Sequence, residues 1–170
     1  IGAAGNENPN GQSGHARIFK YYPGPGHWHQ LGDDIDGEVG GDNFGISLSL
    51  SADGKTVIVG ANGNDGGFPP YNHVPPTPPS YSRAGNARVF KYSSASENWD
   101  QLGDDIDGTA WYDFCGEDVA ISADGLTVAV GANYTDNFDH VTFTWNDPGN
   151  SFTANDSNTR VFRFDSQSQT

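Results

Sequence analysis

The sequence contains no methionine and one cysteine, Cys115. A lone thiol cannot close a bridge within the chain, so no intrachain disulfide holds this fold, and cysteine usage leaves the compartment open. Basic residues are scarce as well: 8 Lys and Arg stand against 22 Asp and Glu, a formal net charge of −14. Nucleic acids and anionic membrane surfaces are gripped through Lys and Arg, so this balance argues against both as partners. Also missing are an apolar run near the ~20 residues that span a bilayer and a leader with a basic start and an apolar middle. Without an initiator methionine, the chain reads as a processed or partial stretch of a longer polypeptide.

Among 170 residues there are 23 glycines and 10 prolines, hydrophobic residues make up 34%, and aromatic rings supply much of the apolar volume. The length suffices for a real core. The composition favours short strands and many turns, and no segment carries a sustained helical period with caps.

The strongest signal is an internal repeat. WHQLGDDIDG (Trp28 to Gly37) returns as WDQLGDDIDG (Trp99 to Gly108), so that Gly32 maps onto Gly103, 71 positions on. The same step carries Ser51-Ala52-Asp53-Gly54 onto Ser122-Ala123-Asp124-Gly125, and Val59-Gly60-Ala61-Asn62 onto Val130-Gly131-Ala132-Asn133. It also carries Ala16-Arg17-Ile18-Phe19-Lys20-Tyr21 onto Ala87-Arg88-Val89-Phe90-Lys91-Tyr92. A third, partial copy is Thr159-Arg160-Val161-Phe162-Arg163-Phe164, and Ile1-Gly2-Ala3 reads as the tail of an earlier one.

Each repeat holds four β signals. FGISLSLS (Phe44 to Ser51) alternates, TVIVGA (Thr56 to Ala61) is β-branched, ARVFKY (Ala87 to Tyr92) alternates again, and WDQL (Trp99 to Leu102) follows a polar turn. The Asp53-Gly54 pair suits the φ > 0 positions of a tight hairpin. Four strands per repeat predict an all-β chain of antiparallel, four-stranded, blade-like sheets of β-propeller type, with a stacked sandwich or solenoid as the alternative. Phe19, Phe90, Phe162, Trp28 and Trp99 are expected to pack neighbouring sheets together. The divisions are residues 1–37 (a partial first repeat with late strands), 38–108 (a complete repeat with a Pro-rich insert at 68–82) and 109–170 (a second repeat lacking its last strand).

The order Gly41-Asp-Asn-Phe-Gly-Ile-Ser-Leu48, Val59-Gly-Ala-Asn62 and Gly85-Asn-Ala-Arg-Val-Phe90 resembles the FG-GAP repeat, the blade unit of integrin-α-like β-propellers. That resemblance implies an extracellular or cell-surface repeat protein. Two departures stand out: the family's Gly-Ala-Pro is Gly-Ala-Asn here, and Phe44-Gly45 becomes Cys115-Gly116. The family's calcium loop gives way to short turns at Asp53-Gly54 and Asp124-Gly125. Propellers close with 4 to 8 blades, so two repeats cannot close a ring within one copy. Incomplete blades expose edges that invite pairing with another chain, which would give a ring of subunits or a fibre.

Several candidate sites follow. Asp34, Asp36, Glu38 and Asp42, with Asp105, Asp107 and Asp113 in the second copy, could wrap a Ca²⁺, the one cofactor considered, or could instead cap backbone N–H groups of a polar turn. Asn64-Asp65 and Asn133 to Asn137 form further acidic loops. Asn133 and Asn155 open N-x-Ser/Thr sequons, and Thr77, Ser80 and Pro75, Pro76, Pro78 and Pro79 of the extended insert could carry O-linked sugars if the prolines are hydroxylated. That last expectation follows from a resemblance to Pro/Ser/Thr-rich cell-wall glycoproteins. His27 and His29 share a strand face but are Asn98 and Asp100 in the second copy, and Cys115, in the place of Phe44, reads as a buried, inert thiol.

No GxSxG elbow, HExxH helix, P-loop or GxGxxG turn is present, and carboxylates repeated in every copy do not form the asymmetric pair a glycosidase needs. The chain therefore reads as a non-enzyme. Its expected role is that of an extracellular structural or adhesive glycoprotein that polymerises head to tail. The alternative is a protein- or carbohydrate-binding module, calcium-dependent or not, with Trp28, Trp99, Trp111 or Trp145 as stacking platforms.

Overall fold

The computed structural model describes residues 1–7, 11–65, 83–109, 112–132 and 159–163. Among them there is no helix. Thirteen strands are present: β1 (Gly2–Ala3), β2 (His15–Ala16), β3 (Phe19–Tyr22), β4 (His27–Gln30), β5 (Ile35–Asp36), β6 (Ser47–Leu50), β7 (Thr56–Ala61), β8 (Asn86–Ser93), β9 (Asn98–Gln101), β10 (Ile106–Asp107), β11 (Asp118–Ile121), β12 (Thr127–Gly131) and β13 (Thr159–Arg163). All their pairings are antiparallel.

The middle sheet is the fullest. Its order is β6-β7-β8, with the far edge of β8 shared by β9 and β10. Phe90 faces Gln101 on β9, whereas Ala87 faces Ile106 on β10. The LGDD turn therefore interrupts one edge strand rather than joining two sheets. The flanking sheets reproduce parts of this layout in the same register. Phe19 faces Gln30 and Ala16 faces Ile35 in the first, and Val128 faces Phe162 in the third as Val57 faces Phe90. The stub β1 pairs Gly2 with Ala16 as β7 pairs Gly60 with Ala87, which places Ile1-Gly2-Ala3 as the end of a β7-like strand.

Strands form in the four segments expected for the middle repeat. The short strand β10, like β5 in the first repeat, is an addition to them, so the middle sheet has five strands rather than four, and the hairpin also differs. The loop between β6 and β7 runs from Ser51 to Lys55, and only Gly54 takes a positive φ, of 70°. Asp53 keeps ordinary backbone and uses its carboxylate instead, accepting from the Ser51 hydroxyl (2.7 Å) and the Lys55 N–H (3.0 Å). Asp124 repeats this with Ser122 and Leu126. These hydrogen bonds favour the ionised form and hold both carboxyls below their ordinary range.

The ladders β1-β2-β5 and β3-β4 together form the layer taken as the first sheet, and two cores lie between the three layers. Ala16, Ile18 and Ile35 of the first sheet meet Val57, Val59, Phe90 and Trp99 of the second. On its other face the second sheet offers Ile58, Ala87, Val89 and Ile106 to Val119, Val128, Val130 and Phe162. β7 lies between both cores, and all six of its residues are buried. That explains its continuous apolar run, since a strand covered on both faces has no polar side to alternate with. The approach is tight at both interfaces: a Cβ on Gly2 would lie 2.0 Å from the Gly45 carbonyl oxygen at the first, and one on Gly60 2.0 Å from that of Gly116 at the second. The expectation that Phe90, Phe162 and Trp99 pack the sheets holds, because all three are buried. Trp28 does not join them: it is 67% exposed, against 9% for Trp99.

Candidate functional site

The repeated acidic turns are the natural place to look for chemistry, and their carboxylates have distinct tasks. Asp42 accepts from the N–H groups of Glu38 (3.1 Å) and Val39 (2.8 Å), and Asp113 accepts from the N–H (2.8 Å) and hydroxyl (2.6 Å) of Thr109. Both are buried turn caps, each holding two local donors on its Oδ2. The structure therefore separates them from the aspartates with which they are spaced in sequence.

Asp34 accepts a forked pair of bonds from Arg17, at 2.8 Å from Nε and 2.6 Å from Nη2, and a third from Gln30 at 2.8 Å. The Arg17 bonds hold its carboxyl down at about 2. Asp105, its counterpart, accepts from Gln101 (2.7 Å) and Asn86 (3.1 Å). Asp107 behaves in the opposite way. Burial, reinforced by the charges of Asp105 and Glu38 and opposed by Arg160, pushes its carboxyl up to about 6.

Among the described residues, one group of three candidate ligand atoms lies within 4.8 Å: His15, Asp34 and Asp36. Asp36 sits opposite the buried His15 on β2 and β5. This donor set differs from the expected one, because it contains a histidine nitrogen and neither Glu38 nor Asp42. Ca²⁺ takes 6 to 8 oxygens, and here one of the two carboxylates is already neutralised by Arg17, so the first copy fits calcium poorly.

A feature that the sequence reading did not assign is a ladder of arginines. Arg88 donates from Nη2 to the carbonyl of Asp36 on the preceding sheet (2.9 Å), and its guanidinium lies 4.4 Å from the centre of the Phe44 ring. Arg160 donates from Nη1 to the equivalent carbonyl of Asp107 (2.8 Å) and from Nη2 to the Cys115 sulfur (2.9 Å). The Phe44-to-Cys115 change therefore replaces a ring beneath one arginine with a sulfur beneath the next. Burial pushes the Cys115 thiol up to about 11, as expected of an inert cysteine. Arg17, the first rung, turns back onto Asp34. The signal in the sequence was that an arginine follows Ala or Thr in all three copies, at a position that ends up between sheets.

The tryptophans show the same contrast. Trp99 donates its indole N–H to the Leu31 carbonyl of the first sheet (2.6 Å), and Asn98 exchanges hydrogen bonds with Asp33 (3.0 and 2.9 Å). His27, Trp28 and His29 on β4 are all exposed. In the acidic loop at Asn64-Asp65, the buried Asn64 accepts from the Gly85 N–H through its carbonyl, and Asp65 accepts from the Arg83 N–H.

The groups expected to carry sugars, Thr77, Ser80, Pro75, Pro76, Pro78, Pro79, Asn133 and Asn155, lie outside the described residues, as do the loop from Asn133 to Asn137, Trp111 and Trp145. No helix of the described residues is long and apolar enough to cross a membrane. No protein-family model matches the sequence, and no curated protein matches it significantly.

Proposed function

We propose that the chain is a structural repeat protein whose sheets are blades of the FG-GAP-like, β-propeller type, stacked within one copy and continued into the next. The observation that carries this reading is the repetition of one inter-sheet joint. Arg88 to the Asp36 carbonyl, Phe44 N–H to the Ser13 carbonyl (2.9 Å) and the Gly14–Phe44 bridge link one step, and Arg160 to the Asp107 carbonyl, Cys115 N–H to the Ala84 carbonyl (2.9 Å) and the Gly85–Cys115 bridge link the next. A contact set that recurs under one step can be applied again, and the result is a ring if the rotation closes and a filament if it does not.

The reading includes an extracellular or cell-surface setting, an adhesive or scaffolding role, no catalysis, and glycans on Asn133, Asn155 and the Pro-rich insert. Electron microscopy of the native material, with sedimentation velocity, tests it. Filaments or rings far larger than 18.1 kDa are expected, and a monodisperse species of that mass would overturn it. An intact mass equal to that of the bare polypeptide would remove the glycans.

A second reading, a calcium-dependent binding module, is favoured by one observation: burial first, and then the neighbouring charges of Asp105 and Glu38, push the Asp107 carboxyl up to about 6. A cation there would lower that value and raise the melting temperature. A chelated sample whose melting temperature does not move on adding calcium would exclude it.

A further inference from the structure

The repeat step that carries Gly32 onto Gly103 also carries His15, Asp34 and Asp36 onto Asn86, Asp105 and Asp107. In the first copy the candidate ligand atoms of these positions lie within 4.8 Å of one another. The second copy holds them together with equivalent strands. Asn86 faces Asp107 across β8 and β10 as His15 faces Asp36 across β2 and β5, and Asn86 Nδ2 donates to Asp105 Oδ2 (3.1 Å).

The two sets differ in their donors and in their neighbours. The histidine nitrogen becomes a carboxamide oxygen, so the second set can offer oxygen throughout. Arg17 grips Asp34 with a forked pair of bonds, but its counterpart Arg88 crosses to the Asp36 carbonyl and to Glu38, and no salt bridge of the described residues engages Asp105 or Asp107. One acceptor is also stranded. Asn86 is 1% exposed, and its buried Oδ1 meets no donor. Turning the amide over would not cure this, because it would set an oxygen against the Asp105 carboxylate. The Asp107 carboxylate likewise accepts no hydrogen bond among the described residues; its main-chain carbonyl is the group that Arg160 engages (2.8 Å). Buried oxygens are nearly always satisfied by a donor, a water or an ion. Beside two carboxylates without a counter-charge, an ion answers all three groups at once.

We propose that Asn86 Oδ1, Asp105 and Asp107 are the protein ligands of a hard divalent cation, Ca²⁺ before others. The proposal rests on the calcium-dependent reading above and names its site, with Asn86 in the place of the turn cap Asp113. Asp105 accepts one bond on each oxygen, from Gln101 and from Asn86, and so keeps a lone pair on each. Ca²⁺ tolerates the irregular ligand set that two strands and a turn supply, with water completing its shell, whereas Mg²⁺ demands a near-ideal octahedron. Asn86 shares a strand face with Arg88 and Phe90, which look toward the first layer, and Glu38 of that layer stands 3.7 Å from Arg88 Nη1. A cation here would sit between the two layers and help hold them together.

Melting temperatures of the chelator-stripped whole chain, titrated with CaCl₂, test this. MgCl₂ and NaCl at matched ionic strength control for simple screening of a chain of charge −14. Asp107→Asn and Asn86→Ala remove ligands, Asp100→Asn on an exposed position of β9 is the control, and near-UV circular dichroism checks each fold. The wild type and Asp100→Asn should show a saturable rise of about 3 °C or more at ~10 mM Ca²⁺, with half-saturation at about 0.1–1 mM. Each ligand variant should weaken the response roughly tenfold or more. If Asn86→Ala fails to fold, Asp107→Asn decides the matter. A rise that Mg²⁺ or NaCl reproduces would overturn the site as screening alone. A calcium-specific rise that survives Asp107→Asn would overturn these ligands while leaving the calcium-dependent reading standing. No rise would overturn both, and would assign Asn86 Oδ1 to a water shared with Arg88 Nε, the other buried polar atom without a partner.

Discussion

Trp99 reaches out of its own sheet and donates its indole N–H to the backbone carbonyl of Leu31, 2.6 Å away on the neighbouring sheet. The bond sits at the rim of the first core, where the ring also packs edge-on against Tyr92. Trp28 makes the matching ring contact with Tyr21 but remains exposed. Replacing Trp99 with Ala should therefore cost about 3–5 kcal/mol of unfolding free energy, through lost burial and an abandoned carbonyl. Trp28→Ala should cost below about 1 kcal/mol in the monomer. Urea denaturation of the two variants, compared at equal m-values, measures the difference.

Close approach of backbones sets a second expectation. Gly60→Ala places a methyl group on the Gly116 carbonyl oxygen, and neither partner is the end of a flexible side chain that could swing aside. The second and third sheets must separate, at a cost of about 1–3 kcal/mol or more. Gly24→Ala, at a site with nothing within 4 Å, should stay within about 0.5 kcal/mol of the wild type. Equal melting temperatures for the two variants would contradict the sheet spacing.

Two aspartates should give opposite pH dependence. Asp107 titrates at about 6 in the folded chain and near 3.9 when unfolded, so between these values the folded state holds more protons and stability falls as pH rises. Asp107→Asn should remove that decline and leave the variant more stable than the wild type above pH 6. Asp34, held at about 2 by Arg17, contributes stability that is present above pH 4 and lost as pH falls toward 2. Asp34→Asn should flatten the acid limb instead. Melting temperatures from pH 2 to 8 separate the two effects.

Cys115 offers a chemical check on the second core. Fully buried, and with its ionisation opposed chiefly by that burial, the thiol should not react with a disulfide reagent at pH 8 in the native protein. In denaturant one thiol per chain should react. Rapid native labelling would mean that the third sheet does not close over Cys115.

Much of the strand layout was legible because alternation and β-branching act locally. Ser-Leu-Ser-Leu and Thr-Val-Ile-Val became β6 and β7 because those residues suit a pleated surface, and the Ser-Ala-Asp-Gly loop formed because its hydroxyl, carboxylate and glycine satisfy their own turn. The acidic turns were only partly legible. Spacing grouped Asp34, Asp36, Glu38 and Asp42 as candidate ligands for one cation. Which of them caps a turn, which pairs with an arginine and which meets His15 depends on strands far away in sequence.

The repeat period, the all-β class and the turn positions are thus properties of the sequence, since each follows from contacts within a few residues or from self-similarity along the chain. The tertiary structure alone decided the fate of residues that the repeat makes equivalent. Trp28 and Trp99, Arg17 and Arg88, and Leu48 and Val119 occupy matching places in their sheets, yet one of each pair is buried or held by a neighbouring sheet and the other is not. The physical reason is that burial depends on what stands across the interface, and the first sheet has that neighbour on one side only among the described residues.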